Sequence, residues 1–234
     1  MDMYTELNRI PGKGYFVVFE SFDGAGKSTQ TLALVDYVRN HLGLPVVALR
    51  EPGGTPNSEV IRSLILAPEK HDCTTWDAVS QLMLYSVARR ELMKTKIIPA
   101  LNANSIVICD RFTLSTLAYQ HFGCGVPRQI VQTMISLATD DIAPDRTLLL
   151  TAPFEVCQKR LAARQEVKNN WDEVDRRVAL RIHDGYDELK NSERNIIQVD
   201  ADQRLEEVTR DVLTTFTRNC LPEIKARSIT RTML

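Results

Sequence analysis

Short apolar runs rich in β-branched residues alternate along this chain with longer stretches in which apolar residues recur at helical spacing. The short runs predict strands over residues 15–20, 45–50, 105–110, 146–151 and 195–200. The longer stretches predict helices after the first strand and over residues 76–101, 130–138, 156–164, 174–189 and 205–216. Buried strands that alternate with helices form parallel sheets covered on both faces. We therefore predict an α/β fold with three layers, a five-stranded parallel sheet between two layers of helices.

The composition fits a single domain and excludes several classes of protein. The 234 residues are 44% hydrophobic and 25% charged, with 29 Lys and Arg against 30 Asp and Glu. Such a balance gives no overall electrostatic footprint for nucleic acid or an anionic membrane, and we expect neither as a partner. No apolar run approaches the ~20 residues of a membrane span, and the charged first residues do not resemble a signal peptide. Residues 1–13 and 222–234 show no clear pattern, and we expect them to fray.

The cysteines are scattered and form no CxxC pair. They are Cys73, Cys109, Cys124, Cys157 and Cys220. An odd number without paired spacing argues against a disulfide framework and against a zinc site, so we expect a reducing, cytoplasmic location.

A glycine-rich segment lies directly after the first predicted strand and opens the next helix. It reads SFDGAGKS over residues 21–28. Gly24 and Gly26 allow backbone N–H groups to converge on a phosphate, and the helix N-terminus adds its dipole. Lys27 can reach the β- and γ-phosphates of a nucleotide, and the Ser28 hydroxyl can bind Mg²⁺. The alternative is a glycine-rich turn that binds nothing, but the Lys-Ser pair between a strand and a helix favours a phosphate cradle.

Two further loops follow predicted strands. Residues 50–56 read REPGGTP, in which Thr55 and Pro56 are typical of a helix N-cap and first turn. Asp110 and Arg111 end the third strand. Because the carboxyl ends of parallel strands share one edge, where such folds bind ligands, we expect both loops to lie beside the cradle. The alternative for Arg111 is a surface ion pair.

The long helix offers a second candidate pair. Tyr85 and Arg89 are four residues apart and therefore share a face. An aromatic ring beside a guanidinium suits a nucleoside monophosphate, whose base stacks and whose phosphate pairs with the cation. Taken alone, the helix favours the simpler alternative, in which Tyr85 fills the core and Arg89 extends to solvent.

A basic segment follows the fourth strand. Residues 159–181 hold seven Lys or Arg against four Asp or Glu. Such a segment could fold over ATP phosphates as a lid, or could be a solvated helix face.

Together these motifs resemble the thymidylate kinase family, a group of P-loop nucleoside monophosphate kinases, over most of residues 14–216. The matching segments are FE at 19–20, DGAGKSTQ at 23–30, REPGGT at 50–55, Tyr85 to Arg89, Asp110-Arg111, Ser115, AYQ at 118–120, PD at 144–145, KR at 159–160 and VDA at 199–201. The resemblance implies a P-loop NTPase fold with a helical lid, ATP and Mg²⁺ as cofactors, and transfer of a phosphoryl group to dTMP by a homodimer. It implies a kinase domain over 14–219 with the lid at about 160–177, an extension over 1–13 and a tail over 220–234.

The family's roles carry over to matching positions. The residues that the resemblance implies for ATP binding are Ser21, Phe22, Asp23, Gly24, Ala25, Gly26, Lys27, Ser28, Thr29 and Arg160. Those it implies near Mg²⁺ are Ser28, Asp23 and Asp110. For dTMP they are Glu51, Pro52, Tyr85, Arg89, Arg111, Ser115, Thr116, Tyr119 and Gln120. The implied catalytic residues are Asp23, Lys27, Arg111 and Arg164, the last because members with glycine at position 24 resemble a bacterial type that supplies arginines from the lid.

The chain departs from the family's pattern at several positions. Ser21 replaces a glycine, Thr151 replaces an aspartate, and the lid reads NNWD at 169–172 where Asp-Arg often precedes an acidic residue. Tyr85 stands where the family usually has Phe. The alternatives are a related kinase for dUMP, a 5-modified dUMP or a deoxynucleoside, and an ATP-binding pseudokinase without transfer.

Overall fold

The computed structural model describes residues 14–71, 75–163, 171, 174–192 and 194–229. The strands are β1 (Tyr15–Glu20), β2 (Val46–Arg50), β3 (Ile106–Asp110), β4 (Arg146–Thr151) and β5 (Ile196–Asp200). The helices are α1 (Lys27–Asp36), α2 (Pro56–Leu66), α3 (Ala78–Leu92), α4 (Ile98–Asn102), α5 (Thr113–Thr116), α6 (Arg128–Thr139), α7 (Phe154–Ala162), α8 (Arg176–Leu189), α9 (Leu205–Asn219) and α10 (Leu221–Ile229). Helices α1, α3 and α5 continue in wider π-helical turns over Tyr37–His41, Met93–Ile97 and Leu117–Gly123.

The sheet is five-stranded and parallel, in the order β2-β3-β1-β4-β5. This confirms the predicted fold. Strands β1 and β4 have the predicted bounds, and the other three begin one residue later. The prediction is clearest for β1, β3 and β4, because strands buried on both faces must be mostly apolar, which distinguishes them from the amphipathic helices.

Strand β1 lies at the centre of the sheet and is buried along its whole length. Side chains alternate in a strand, so Tyr15, Val17 and Phe19 join one core cluster while Phe16 and Val18 join a second cluster on the opposite face of the strand. The cradle that follows β1 is therefore built on one of the best supported elements of the fold.

The sheet register brings the predicted loops together. Asp110 pairs with Phe19 on one side and with Arg50 on the other. The loops after β1, β2 and β3 therefore leave the sheet at one edge, as expected. Helix α2 begins at Pro56 as predicted, and the Thr55 side chain caps it by accepting from the Ser58 N–H at 3.1 Å.

The end of the chain differs from expectation, because residues 221–229 form the helix α10 instead of fraying. Glu223 accepts a 2.6 Å hydrogen bond from the Tyr15 hydroxyl and pairs with Arg146. Arg227 pairs with Asp145 and lies over the Tyr15 ring, 4.8 Å from its centroid. The prediction missed this helix because its stability comes from contacts with the start of β1, distant in sequence, and not from a strong periodicity.

The described part of the chain can be compared with the expectations about membrane spans and about the cysteines. No helix there is long and apolar enough to cross a membrane. Cys109, Cys124, Cys157 and Cys220 are free thiols, and Cys73 lies outside the described residues.

Candidate functional site

A cavity of about 300 Å³ opens at the carboxyl edge of the sheet. It is lined by the predicted residues Asp23, Lys27, Ser28, Glu51, Pro52, Tyr85, Arg89, Asp110, Arg111, Ser115, Thr116, Tyr119 and Gln120. Sequence reasoning did not assign Arg50, Arg62, Leu66, Phe112 and Trp171, which also line it. A single cavity thus joins the cradle to the loops after β2 and β3 and to one face of α3.

The cradle places Lys27 at the first residue of α1, with its side chain buried. Its Nζ lies 3.3 Å from the Ser21 hydroxyl, 3.8 Å from an Asp110 oxygen and 4.0 Å from an Asp23 oxygen. Burial and the nearby Arg111 lower the pKa of Lys27, whereas the two carboxylates act in the opposite direction. A negatively charged phosphate bound beside Nζ would favour the protonated form of Lys27, as the carboxylates do.

The two cradle glycines, Gly24 and Gly26, are constrained in different ways by their surroundings. Both have positive φ, 90° at Gly24 and 92° at Gly26. A Cβ on Gly24 would also lie 2.3 Å from the backbone oxygen of Cys157 in α7, whereas a Cβ on Gly26 would meet nothing within 4 Å. The contact with α7 leaves no room for any side chain at position 24, so this part of the cradle offers no cation.

Ser21 replaces the first glycine of the usual pattern without backbone strain. Its φ angle is not positive, and its side chain has no exposed surface. Serine is therefore compatible with the cradle.

Ser28 and Asp110 form an oxygen pair beside Lys27. The Ser28 hydroxyl donates a 2.7 Å hydrogen bond to the Asp110 carboxylate at the end of β3. A hydroxyl and a carboxylate are ligand types that Mg²⁺ accepts. Across the described residues, no group of three or more His, Cys, Asp or Glu side chains could hold a metal.

Arg111 lies at the centre of a polar network, with a positive φ of 73° that is uncommon for a residue with a side chain. Its guanidinium pairs with Asp23 and donates to the hydroxyls of Ser115 at 2.8 Å and Tyr119 at 3.1 Å. The Tyr119 hydroxyl donates to the other Asp23 oxygen at 2.6 Å. Burial alone would raise the pKa of Asp23, but Arg111 and Lys27 outweigh it and hold that pKa below its usual range.

Two residues outside the predicted site support Arg111, Tyr186 by direct contact and Glu20 through Ser115. The Tyr186 hydroxyl on α8 accepts from Arg111 at 2.9 Å. Glu20, fully buried, accepts from the Ser115 hydroxyl at 2.5 Å and from the Phe112 N–H at 2.8 Å. The sequence carried two signals for Glu20, the acidic end of an otherwise apolar β1 and the family match at residues 19–20, whereas Tyr186 carried none.

Arg89 and Glu51 form a buried ion pair. The Arg89 Nε donates to Glu51 at 2.7 Å and its Nη2 donates to the Phe112 carbonyl at 3.0 Å. Arg89 is only 3% exposed, yet its Nη1 has no hydrogen-bond partner among the described residues. Burial raises the pKa of Glu51 to about 7, against the opposing effect of Arg89. The simpler alternative for Arg89, extension to solvent, is wrong.

Three aromatic side chains, those of Tyr85, Tyr119 and Trp171, line the cavity and contact one another. Trp171 donates from Nε1 to the Tyr85 hydroxyl at 3.0 Å, and its ring meets Tyr119 edge-on, with centroids 4.8 Å apart. Burial raises the pKa of Tyr85 to about 12. Tyr85 and Arg89 both line the cavity, so the shared helix face predicted from their spacing is confirmed.

Comparisons of this chain with a family model and with known proteins point to the same family. A family model described as thymidylate kinase matches residues 19–212. The chain belongs to the thymidylate kinase family. It is 37% identical over 202 residues to the thymidylate kinase of Pediococcus pentosaceus, covering 86% of this chain and 95% of that protein.

Two other members of the thymidylate kinase family show similar likeness. The thymidylate kinase of Latilactobacillus sakei is 38% identical over 204 residues, covering 86% of this chain and 93% of that protein. The one from Trichlorobacter lovleyi is 39% identical over 185 residues, covering 76% and 84%. The resemblance inferred from the motifs is thereby confirmed.

The remaining residues predicted from the thymidylate kinase pattern occupy varied places. Thr116 and Gln120 are buried in the cavity wall, and the Pro52 carbonyl accepts from Arg50 at 3.1 Å and from Arg62 at 2.9 Å.

Arg160 lies apart from the cavity, where its Nη1 donates to the Ala201 carbonyl after β5 at 2.9 Å. Phe22 and Ala25 are buried cradle residues, and Thr29 is exposed on α1. Arg164 lies outside the described residues.

Proposed function

We propose that this chain transfers the γ-phosphoryl group of ATP to dTMP, giving ADP and dTDP. The observation that carries the proposal is that one cavity is lined by cations from two different parts of the fold. Lys27 belongs to the cradle after β1, and Arg89 and Arg111 belong to α3 and to the loop after β3. A protein that only bound ATP would have no use for the second set.

The second set suits an acceptor phosphate. A buried guanidinium nitrogen without a partner is costly, and the Arg89 Nη1 is in that position among the described residues. A phosphate oxygen from the acceptor would satisfy it. Glu51 fixes the guanidinium through Nε, which leaves this nitrogen available.

The transfer requires positioning more than proton abstraction. The second pKa of a phosphate monoester is about 6, so the acceptor oxygen is largely ionised at pH 7. That oxygen attacks the γ-phosphorus, the bond from the γ-phosphorus to the bridging oxygen breaks, and ADP leaves with the electron pair. Lys27 and the cradle N–H groups bind the donor phosphates, and Arg111 holds the acceptor phosphate in line.

Ser28 and Asp110 would hold Mg²⁺, since their oxygen pair fits its preference for few protein ligands completed by phosphate and water. The bound ion would neutralise charge on the donor phosphates. Both Asp23 oxygens accept hydrogen bonds, from Arg111 and Tyr119, so its main proposed role is to orient Arg111 beside the transferring group. Its contact with the metal stays a prediction.

The charge that develops on the transferred group needs a cation beyond the cradle. Gly24 and Ala25 offer none. We assign this role to Arg164 in the lid, with Lys168 as a helper, from the family resemblance. Closure of the lid would also exclude water and so limit hydrolysis of ATP.

The base and the sugar of dTMP would bind between the aromatic residues. The Tyr85 ring faces the cavity with Thr116 and Gln120 in the wall, and Tyr119 lies beside Arg111 where the sugar would follow its phosphate. Arg160, which donates to the Ala201 carbonyl in the loop after β5, would contribute to the binding of ATP.

We further propose a cytoplasmic homodimer. Val79, Met83 and Val87 recur every four residues on α3, and each is more than a third exposed. An exposed apolar stripe of this kind could pack against the same stripe of a second copy in a two-fold interface. Light scattering after gel filtration tests this, and Met83→Glu with Val87→Glu should give monomers.

A coupled assay of ADP release tests the activity. ATP and Mg²⁺ are supplied with dTMP, dUMP, 5-hydroxymethyl-dUMP or thymidine as acceptor. We expect the highest kcat/KM with dTMP, and loss of transfer in Lys27→Ala without a change in melting temperature. Lys190→Ala, at the surface end of α8, is the matched control. ATP binding without ADP release for any acceptor would contradict the proposal and favour a pseudokinase.

A further inference from the structure

Ser21 contacts a cation of each proposed substrate site, Lys27 through its hydroxyl and Arg111 through its backbone oxygen. Its Oγ donates to the Phe22 carbonyl at 2.8 Å and accepts from Lys27 Nζ at 3.3 Å. The backbone oxygen of the same residue accepts from Arg111 at 3.2 Å. A glycine, which the usual cradle pattern has here, would keep the backbone contact but lose the hydroxyl.

The hydroxyl is the one close side-chain acceptor for Lys27 in the described chain. The carboxylates of Asp110 and Asp23 lie 3.8 and 4.0 Å from Nζ, beyond hydrogen-bond length. Because the hydroxyl hydrogen of Ser21 is used by the Phe22 carbonyl, its lone pairs are directed elsewhere, and Lys27 is the donor they meet.

This arrangement restricts a flexible side chain. A lysine ends in a rotatable ammonium on a four-carbon stem and loses considerable rotamer freedom when fixed. Ser21 has no exposed surface, so its own rotamer is held by packing and by the Phe22 contact. A fixed acceptor therefore holds Lys27 toward the cradle before the nucleotide arrives, and two of the three ammonium hydrogens remain available for phosphate oxygens.

We propose that Ser21 is a positioning residue that acts through Lys27, orienting its ammonium for the phosphates of ATP. The inference rests on the proposed function, because it takes the cradle ligand to be ATP. The family resemblance places position 21 in the ATP cradle, and the inference gives the serine hydroxyl, which a glycine lacks, a specific task there.

A double-mutant cycle on ATP binding tests the proposal. Calorimetric titration with ATP and Mg²⁺ is carried out on the wild type, Ser21→Ala, Lys27→Ala and the double variant. We expect Ser21→Ala to weaken ATP binding about tenfold, as for loss of a hydrogen bond to a charged group. In the Lys27→Ala background the same change should have no effect, because the group that Ser21 orients is missing.

Two further variants separate positioning from packing. Ser21→Gly restores the usual residue and should resemble Ser21→Ala, since both lack the hydroxyl. Ser86→Ala removes a buried hydroxyl that donates to the Leu82 carbonyl in α3 at 2.8 Å, and should leave ATP binding unchanged. Melting temperatures establish that each variant is folded.

Equal losses from Ser21→Ala with and without Lys27 would overturn the proposal, because the serine would then act by packing alone. Tighter binding in Ser21→Gly would also overturn it, because the serine would then obstruct the cradle. A wild-type chain that binds no ATP would instead contradict the proposed function itself, so the two failures are distinguishable.

Discussion

Trp171 donates a 3.0 Å hydrogen bond from its indole Nε1 to the hydroxyl of Tyr85. Each is a departure from the family's pattern, Tyr85 because the family usually has Phe there and Trp171 because it lies in the altered lid sequence. A phenylalanine could not accept this bond. The hydrogen bond therefore joins the two departures, and both residues line the cavity proposed for the acceptor.

Loss of this bond should weaken the acceptor site and spare the donor site. We expect Tyr85→Phe and Trp171→Phe each to raise KM for dTMP about threefold to tenfold, with KM for ATP unchanged. The double variant should resemble either single one, because both remove the same bond. Steady-state kinetics measures all four proteins.

The second tryptophan provides the control for this experiment. Trp76 donates to the Leu64 carbonyl at 2.9 Å and does not line the cavity. Trp76→Phe should leave both KM values unchanged, and it leaves Trp171 as the sole indole, whose fluorescence should respond to dTMP. Additive losses in the double variant would show that Tyr85 and Trp171 act separately.

Substitution of Arg89 should affect the acceptor first. Arg89→Lys keeps the charge but loses the planar fork that contacts Glu51 and the Phe112 carbonyl while leaving Nη1 for phosphate. We expect KM for dTMP to rise about tenfold to hundredfold, with ATP affinity unchanged. Titration with each nucleotide separately measures this.

A stability measurement completes the test of Arg89. Arg89→Met leaves the buried Glu51 without its partner, which costs about 3–5 kcal/mol in comparable pairs. Adding Glu51→Gln should restore part of the loss. No recovery in the double variant would mean that the pair is not coupled as its 2.7 Å contact implies.

The two cradle glycines should differ in stability when alanine replaces them. Gly24→Ala forces a Cβ against the Cys157 backbone, whereas Gly26→Ala incurs the positive-φ cost alone, about 1–2 kcal/mol. We expect a clearly larger fall in melting temperature for Gly24→Ala, measured without nucleotide. Equal falls would show that α7 moves away to accommodate the methyl group.

The sequence predicted the sheet well because β1, β3 and β4 are apolar on both faces, a signal that does not depend on tertiary context. The site residues on the loops after β1, β2 and β3 were also predictable, since parallel topology places those loops together. Arg89 shows the limit of this reasoning. Its helix alone favoured exposure, and only the burial of Glu51 from another loop makes the guanidinium an internal group.

Contacts between residues far apart in sequence explain the other omissions. Tyr186 reaches Arg111 from a helix 75 residues later, and α10 is held by Glu223, 208 residues after Tyr15. Neither position carries a local pattern that marks it. Ser21 could be recognised as a departure, but its contact with Lys27 depends on side-chain packing within the turn.

The helix α10 should stabilise the start of β1. Arg227 donates to the Gly14 carbonyl at 2.5 Å, pairs with Asp145 and covers Tyr15. We expect Arg227→Ala to cost about 1–3 kcal/mol, or roughly 2–10 °C in melting temperature. Arg218→Ala, exposed on α9, is the control and should change little. An unchanged melting temperature in Arg227→Ala would show that the contacts of Arg227 with Gly14, Asp145 and Tyr15 do not stabilise the fold.

Tyr119 should discriminate the 2′ position of the acceptor sugar. Its ring lies under the Arg111 guanidinium at 5.1 Å, and its hydroxyl bonds to Asp23. A ribose hydroxyl packed against this ring would lose water without gaining a partner, at a cost of about 1–3 kcal/mol. We therefore expect a preference for dTMP over its ribonucleotide of about tenfold to a few hundredfold in kcat/KM.

Two variants separate the ring of Tyr119 from its hydroxyl. Tyr119→Phe keeps the ring, so it should retain the deoxy preference while lowering kcat for both sugars, because Asp23 and Arg111 lose a shared partner. Tyr119→Ala should narrow the preference, mainly by admitting the ribonucleotide. Comparison of both acceptors across the three proteins measures this. If the deoxy-to-ribo ratio stays constant in Tyr119→Ala while the melting temperature falls, the ring serves packing, and the sugar is selected elsewhere in the cavity.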